Sequence, residues 1–173
     1  MRLRYRVGQF FGRLAARRAP GDLCAAAEVL PAAGLELFCA LGPGDQRHAL
    51  QVWRTLRAEG PCPPSLAQAA LLHDVGKAGS GLTLIHRSLC VVLDALAPGA
   101  LRRLAGPGAR SWRAPFHAYL FHAEIGARRC AEAGCGPLTV FLVGHHDAAA
   151  PPTDVPPAWQ AALAALRRAD EHC

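Results

Sequence analysis

His73 and Asp74 are adjacent residues at the end of an apolar run, in the stretch LLHDVGK of residues 71–77. A buried imidazole and a buried carboxylate both need partners that replace the water they lose. A divalent metal ion supplies a partner to both at once. The alternative is a capping Asp beside a histidine of the core, and a His-Asp pair by itself does not decide between the two.

Other histidines and one further acid occur in a definite order around this pair. In chain order the candidates are His48, His73 with Asp74, His122, His145 with His146, and Asp170. This order resembles that of the HD-domain metal-dependent phosphohydrolases over roughly residues 45–171. The motifs that carry the resemblance are RHAL around His48, LLHDVGK, HAEIGARR at 122–129, GHHD at 144–147 and RRADE at 167–171. It implies an all-α fold, an irregular helical bundle of the HD-domain type, and metal-dependent hydrolysis.

The resemblance also implies which residues hold metal. It assigns two sets that share Asp74: a first ion on His48, His73, Asp74 and Asp170, and a second on Asp74, His122 and His145. His146 has no settled place, because neighbours on a regular helix point about 100° apart and both can bind only if the helix frays there or a third ion is present. In the alternative, His122 and His145 line the pocket of a one-metal enzyme.

The chemistry of this ligand set agrees with the resemblance. Imidazoles and carboxylates without a thiolate suit Mn, Fe, Co, Ni or Zn, and do not choose among them. Two such ions about 3.5–4 Å apart can share a hydroxide, aim it at phosphorus and offset the charge that grows on the phosphoryl oxygens. The predicted cofactor is therefore a pair of divalent transition-metal ions, and the predicted reaction is hydrolysis of a phosphate ester.

Lys77 stands at the position of the lysine in the related HDxGK motif, where the family's lysine contacts phosphate or helps to position the nucleophile. It is the single lysine among 19 basic residues, and a compact ammonium fits beside metal ions where a planar guanidinium would not. The alternative is chance. Asp74 and Lys77 are the predicted catalytic residues. Weaker candidates for contacts to a substrate phosphate, with solvated surface charge as the alternative, are Arg128, Arg47, Arg87 and Arg129.

The absence of a Gly-Tyr-Pro motif argues against cyclic di-GMP as the substrate. The family's subgroup that cleaves cyclic di-GMP has a Gly-Tyr-Pro element after its His-His-Glu, whereas GHHDAAAPPTDVPP stands here, with Asp147 in place of the Glu. Asp147 is expected either to be a helix-end residue or to act through a metal ligand that it contacts, in both cases with a smaller effect than Asp74. The predicted substrate is a nucleotide-type phosphodiester. The alternatives are a one-metal nucleotidase or deoxynucleotide triphosphohydrolase, and a regulatory module that binds a nucleotide or metal without turnover.

Helices are predicted for most of the chain. Hydrophobic residues make up 51% of it and aromatic residues 6%, and Ala and Leu predominate where strands would favour Val, Ile, Thr and Tyr. Caps, prolines and glycines delimit helices at about 22–30, 31–42, 45–59, 65–75, 82–97, 115–134, 137–147 and 157–171. We predict one domain over 1–173, in which 1–44 is a helical extension and 45–173 is the metal-binding core.

The charge pattern bears on partners and location. The net charge is +6, and residues 2–18 predict a basic amphipathic helix that either docks on the core or makes weak contact with a membrane surface. No specific nucleic-acid binding is expected. Seven cysteines without a Cys-x-x-Cys pair, together with the lack of a signal-peptide pattern and of a confident membrane span, predict a soluble protein in the reducing cytoplasm.

Overall fold

The computed structural model describes residues 22–106, 112–150 and 152–173, and within these ranges the chain is helical and has no strand. In chain order the elements are α1 (Asp22–Ala27), α2 (Ala32–Cys39), α3 (Pro43–Glu59), α4 (Pro64–Leu72), a 3₁₀ turn (Val75–Lys77), α5 (Leu84–Leu96), α6 (Pro98–Leu104), α7 (Ala114–Glu132), α8 (Pro137–His145) and α9 (Pro157–His172). The predicted all-α bundle is confirmed. The helix predicted over 2–18 lies outside the described residues.

Proline begins many of these helices, because its fixed φ suits the first turn and its missing N–H costs no hydrogen bond there. A proline occupies the first or second position of α3, α4, α6, α7, α8 and α9. Two starts differ from the prediction. α4 begins at Pro64 without the expected Ser65 cap. α6 had no predicted counterpart, because its opening Pro98-Gly99 resembles a turn.

α4 lies at the centre of the main core. It packs against α2, α3, α8 and α9, and six of its nine residues are buried. A helix that is apolar on every side is stable only where other elements cover every side. Because α4 ends at Leu72, the chain delivers His73 and Asp74 directly into the interior.

The first two helices pack on the same core. Ala26, Leu30, Phe38 and Leu41 belong to one apolar cluster with side chains of α4, α8 and α9. The amide of Gln46 donates to the carbonyl oxygens of Phe38 and Leu41 at 3.2 and 2.9 Å. These bonds tie the end of α2 to the first turn of α3, the helix that carries His48.

A smaller apolar cluster joins α5, α6 and the start of α7. Its buried members are Cys90, Leu101, Ala105 and Phe116. Arg87 of α5 donates two hydrogen bonds to Asp45 of α3, at 3.0 and 2.9 Å, which connects this cluster to the main core. The other face of α5 exposes Ile85, Leu89, Val92 and Leu96. None of the described helices is long and apolar enough to cross a membrane.

The 3₁₀ turn packs on α7 backbone to backbone. A Cβ atom at Gly76 would overlap the carbonyl group of His122, since even the carbonyl carbon would be 2.7 Å away. Further along α7, Arg129 Nη1 donates to the carbonyl oxygens of Val75 at 2.8 Å and Ala78 at 3.1 Å. The turn that follows Asp74 is therefore held at a fixed distance from α7.

Gly76→Ala is expected to lower the free energy of unfolding by about 3 kcal/mol, because the added methyl group must displace backbone and not a flexible side chain. Gly99→Ala is the matched control: Gly99 lies in α6, and an added Cβ there meets nothing within 4 Å. The control should be neutral or stabilising by about 0.5–1 kcal/mol. Urea unfolding followed by circular dichroism measures both. Equally small effects of the two substitutions would contradict the close approach.

Candidate metal centre

Polar side chains from distant parts of the chain meet in the interior beyond the end of α4. They are His48 of α3, His73 and Asp74 after α4, His122 of α7, His146 after α8, and Asp170 of α9. The first five are almost fully buried, with exposed fractions of 4, 1, 2, 6 and 6%. Polar groups this deep in a core need partners.

The first group lies between α3, α4 and α9. His48 Nε2 is 2.7 Å from Asp170 Oδ1, within hydrogen-bond distance. His73 Nε2 is 3.6 Å from the same oxygen and 3.8 Å from Asp74 Oδ2. The nitrogens of His48 and His73 and an oxygen of Asp74 lie within 4.8 Å of one another, close enough to hold one metal ion.

The second group lies between α4, α7 and α8. Asp74 Oδ1 is 3.7 Å from His122 Nε2 and 3.8 Å from His146 Nε2, and these three residues also lie within 4.8 Å of one another. The two oxygens of Asp74 are thus divided, with Oδ2 toward His73 and Oδ1 toward the second group. The predicted sharing of Asp74 between two candidate metal groups agrees with this arrangement.

Hydrogen bonds to the backbone orient three of the histidines. Nδ1 of His73, His122 and His146 is 2.9, 3.1 and 2.8 Å from the carbonyl oxygens of Ala70, Tyr119 and Val143. A carbonyl oxygen only accepts, so each Nδ1 carries the hydrogen and each Nε2 presents a lone pair. Metal-bound histidines are commonly fixed in this way.

The other ring nitrogen of His73, Nε2, is direct evidence for a candidate metal site. His73 Nε2 is buried and has no hydrogen-bond partner, and its carboxylate neighbours at 3.6 and 3.8 Å are too distant to accept a hydrogen bond. Two ligand atoms, each about 2.1 Å from one ion, can stand up to about 4.2 Å apart. The observed separations fit ligands of a common ion, so the donor set and its spacing suit divalent metal.

Lys77 adds a positive charge at the shared carboxylate. Its Nζ donates to Asp74 Oδ1 at 2.6 Å, and its side chain is mostly buried. Burial alone would raise the pKa of Asp74, but the charge of Lys77, joined by those of His73, His122 and His48 when these are protonated, outweighs it and holds that pKa well below its ordinary value. Asp74 is therefore ionised at neutral pH.

His122, His146 and Asp170 are in the protonation states that metal ligands require. Burial lowers the pKa of His122 from 6.5 to about 3, and the Lys77 charge acts in the same direction. Burial, together with the charge of His73, also lowers the pKa of His146. For Asp170, burial raises the pKa, but the hydrogen bond with His48 and the charge of His73 lower it overall. Neutral imidazoles and ionised carboxylates bind cations without first losing a proton.

His145 and His146 exchange the roles that the sequence analysis gave them. His145 stacks on Phe141, with ring centres 4.5 Å apart, and its Nδ1 donates to the Phe141 carbonyl oxygen at 2.8 Å. His146, not His145, joins Asp74 and His122. α8 ends at His145, and neighbouring side chains point about 100° apart, so only one of the two can face the group.

The arginines proposed for phosphate contacts have other surroundings. Arg128 is exposed and lies about 120° around α7 from His122. Arg129 binds carbonyl oxygens next to the 3₁₀ turn, and Arg87 is paired with Asp45. A substrate contact by Arg128 stays a prediction, and Arg129 instead supports the turn that carries Lys77.

One further acid, which the sequence did not assign to a metal group, lies near the centre. Asp147 Oδ2 is 3.8 Å from His122 Nε2, on a side chain that is 66% exposed. Its position directly after the two histidines was the only signal, and that signal gives no direction for the side chain.

Comparisons of the chain with protein-family models, with curated proteins and with solved structures returned no match. The helical bundle and its buried His/Asp groups are compatible with an HD-type domain.

The metal-free protein is expected to lose stability as the pH falls below about 6.5. His122 titrates near 6.5 when unfolded and near 3 when folded, so between these values the unfolded chain binds more protons, and each such group contributes up to about 1.4 kcal/mol per pH unit. The carboxyl groups add to the loss only at lower pH, because their folded pKa values are depressed. Urea unfolding in EDTA at pH 7 and 5 tests this. Equal free energies at the two values would contradict neutral burial of His122.

His146→Ala is expected to weaken binding of one metal equivalent by about 10–100-fold or more, whereas His145→Ala should leave both equivalents in place. The two substitutions remove the same side chain from adjacent positions, so each controls for the other. Competition with a metal-chelating dye measures the affinities. Loss of metal from the His145 variant alone would show that the sequence-based assignment was right.

Proposed function

We propose that this protein is a metal-dependent phosphohydrolase that holds two divalent ions and cleaves a nucleotide-type phosphodiester. The main support is the buried Asp74 carboxylate, whose two oxygens face separate His-containing groups. A site built only for stability would gain more from apolar packing than from this many buried polar groups. Ions bound there would lower the pKa of a water molecule to give a nucleophile near neutral pH and would offset charge on phosphoryl oxygens.

The residues of the chain have separate tasks in this proposal. His48, His73 and Asp170 would bind one ion, and His122 and His146 would bind the other. Asp74 would bind both ions and so set the distance between them. The backbone hydrogen bonds of His73, His122 and His146 mean that little rearrangement of these side chains is needed when substrate arrives, which favours the transition state.

Lys77 is the proposed contact to the reacting phosphate. Its Nζ is 2.6 Å from Asp74 Oδ1, and an ammonium has three hydrogens to donate. One can remain on Asp74 while another is donated to a phosphoryl oxygen at the same edge of the site. The exposed fractions of Asp170 and Asp147, 32 and 66%, mark the side from which an anionic substrate reaches this edge. A net charge of +6 favours the approach of such a substrate.

A one-metal nucleotidase is the second candidate, and one observation favours it. The first group has a carboxylate of its own, Asp170, besides Asp74, whereas the two histidines of the second group share only the buried carboxylate of Asp74 with the first group. Metal counting on protein purified without chelator separates the candidates. One equivalent per chain, unchanged by added Mn or Fe, would defeat the two-ion proposal.

Hydrolysis itself is tested with Mn present, on bis-p-nitrophenyl phosphate, p-nitrophenyl phosphate and a panel of nucleotides. Turnover of the diester above that of the monoester supports the proposal. A nucleotide that binds without any turnover would instead indicate a regulatory module.

Asp74→Ala is expected to abolish both metal occupancy and hydrolysis, because it removes the carboxylate that the two groups share. Lys77→Ala should retain metal and lose about 10²–10³ in rate, since its contact to phosphate is proposed to act mainly in the transition state. Metal analysis and steady-state kinetics of the two variants are measured together. An Asp74 variant that keeps its metal and turns over substrate would overturn the assignment.

A further inference from the structure

We propose that Asp147 is a metal ligand and completes the second group as its own carboxylate. The inference rests on the two-ion centre of the proposed function and adds a residue to it. It starts from the spacing of ligand atoms around His122.

Asp147 lies about as far from His122 of the second group as Asp170 lies from His73 of the first group. His122 Nε2 is 3.8 Å from Asp147 Oδ2, and His73 Nε2 is 3.6 Å from Asp170 Oδ1. Both separations exceed a hydrogen bond and fit two ligands of a common ion. Both carboxylates are also more exposed than the histidines beside them, with side chains 66 and 32% exposed.

With Asp147 included, the two groups have matching donor sets. Each then has two imidazole nitrogens, one carboxylate of its own and one oxygen of Asp74. Without Asp147, the only carboxylate oxygen of the second group is Asp74 Oδ1, and Lys77 already donates a hydrogen bond to that oxygen. A divalent ion held by two neutral imidazoles and one shared carboxylate would be poorly compensated in a buried site.

Charge compensation points the same way. Two divalent ions bring four positive charges and Lys77 a fifth, while Asp74 and Asp170 offset two. Asp147 supplies a third negative charge at the group where the Lys77 ammonium lies. Uncompensated charge is costly where water is excluded.

The local backbone allows this role. α8 ends at His145, and the chain leaves it through a turn in which the Ala148 N–H donates to the His145 carbonyl oxygen at 3.2 Å. Asp147 is therefore just past the helix end, next to the ligand His146. A short side chain at this point reaches the outer edge of the second group without crossing the core.

The test is metal affinity of the full chain with Asp147→Asn. This variant keeps the shape of the side chain and removes its charge. Asp154→Asn is the matched control, because Asp154 is an exposed acid in the loop before α9 and its loss changes the net charge equally. Apoprotein is titrated with Mn and Co against a chelating dye, and the visible absorption of the cobalt form reports on ligand number.

We expect Asp147→Asn to bind one equivalent as the wild type does and the other at least about tenfold more weakly, with a changed cobalt spectrum. Asp147→Glu should recover most of the affinity, and Asp154→Asn should bind both equivalents normally. If the wild type binds two ions and Asp147→Asn binds both with unchanged affinity and spectrum, Asp147 is not a ligand. If the wild type binds fewer than two ions, the two-ion proposal fails, and this inference with it.

Discussion

The Asp74 carboxylate is the buried charge around which the bundle is organised. It is 2% exposed, and an ionised carboxylate at that depth is costly unless cations or hydrogen-bond donors surround it. Lys77 lies 2.6 Å from one of its oxygens, and imidazoles on both sides lie at 3.7–3.8 Å. α4 ends directly before this pair, and His48 of α3, His122 of α7 and His146 after α8 lie around the carboxylate, while Asp170 of α9 pairs with His48.

Backbone carbonyl groups help to orient the side chains of this arrangement. The last carbonyl groups of a helix have no amide partner within it, and Ala70 and Val143 lie in the last turns of α4 and α8. Tyr119 lies just before a kink in α7 at Phe121, whose φ of −117° and ψ of 15° are not helical. One set of histidine hydrogen bonds thus both satisfies carbonyl groups where helices end or kink and fixes the direction of three Nε2 lone pairs.

At neutral pH, protons compete only weakly with metal ions for the nitrogen and oxygen atoms of this site. Burial lowers the pKa of His122 and His146 and so keeps them neutral, while the Lys77 ammonium lowers the pKa of Asp74 and keeps it ionised. Competition from protons is therefore weak at neutral pH, and metal affinity is not reduced by the need to displace them. Lys77, Asp170 and Asp147 are the more exposed members of the site, with side chains 15, 32 and 66% exposed.

The sequence by itself determined the fold class, most of the helices and the kinds of side chain in the candidate site, because prolines, glycines and apolar runs act over short distances. It also placed His73 and Asp74 at the end of a buried helix. Only the tertiary structure decided between His145 and His146, since α8 is apolar on nearly every side and no polar face fixes its rotation. The same holds for Asp147, whose distance to His122 depends on how α8 packs against α7. Local pattern determines where a helix forms, whereas the rotation of an apolar helix is set by the packing of the whole bundle.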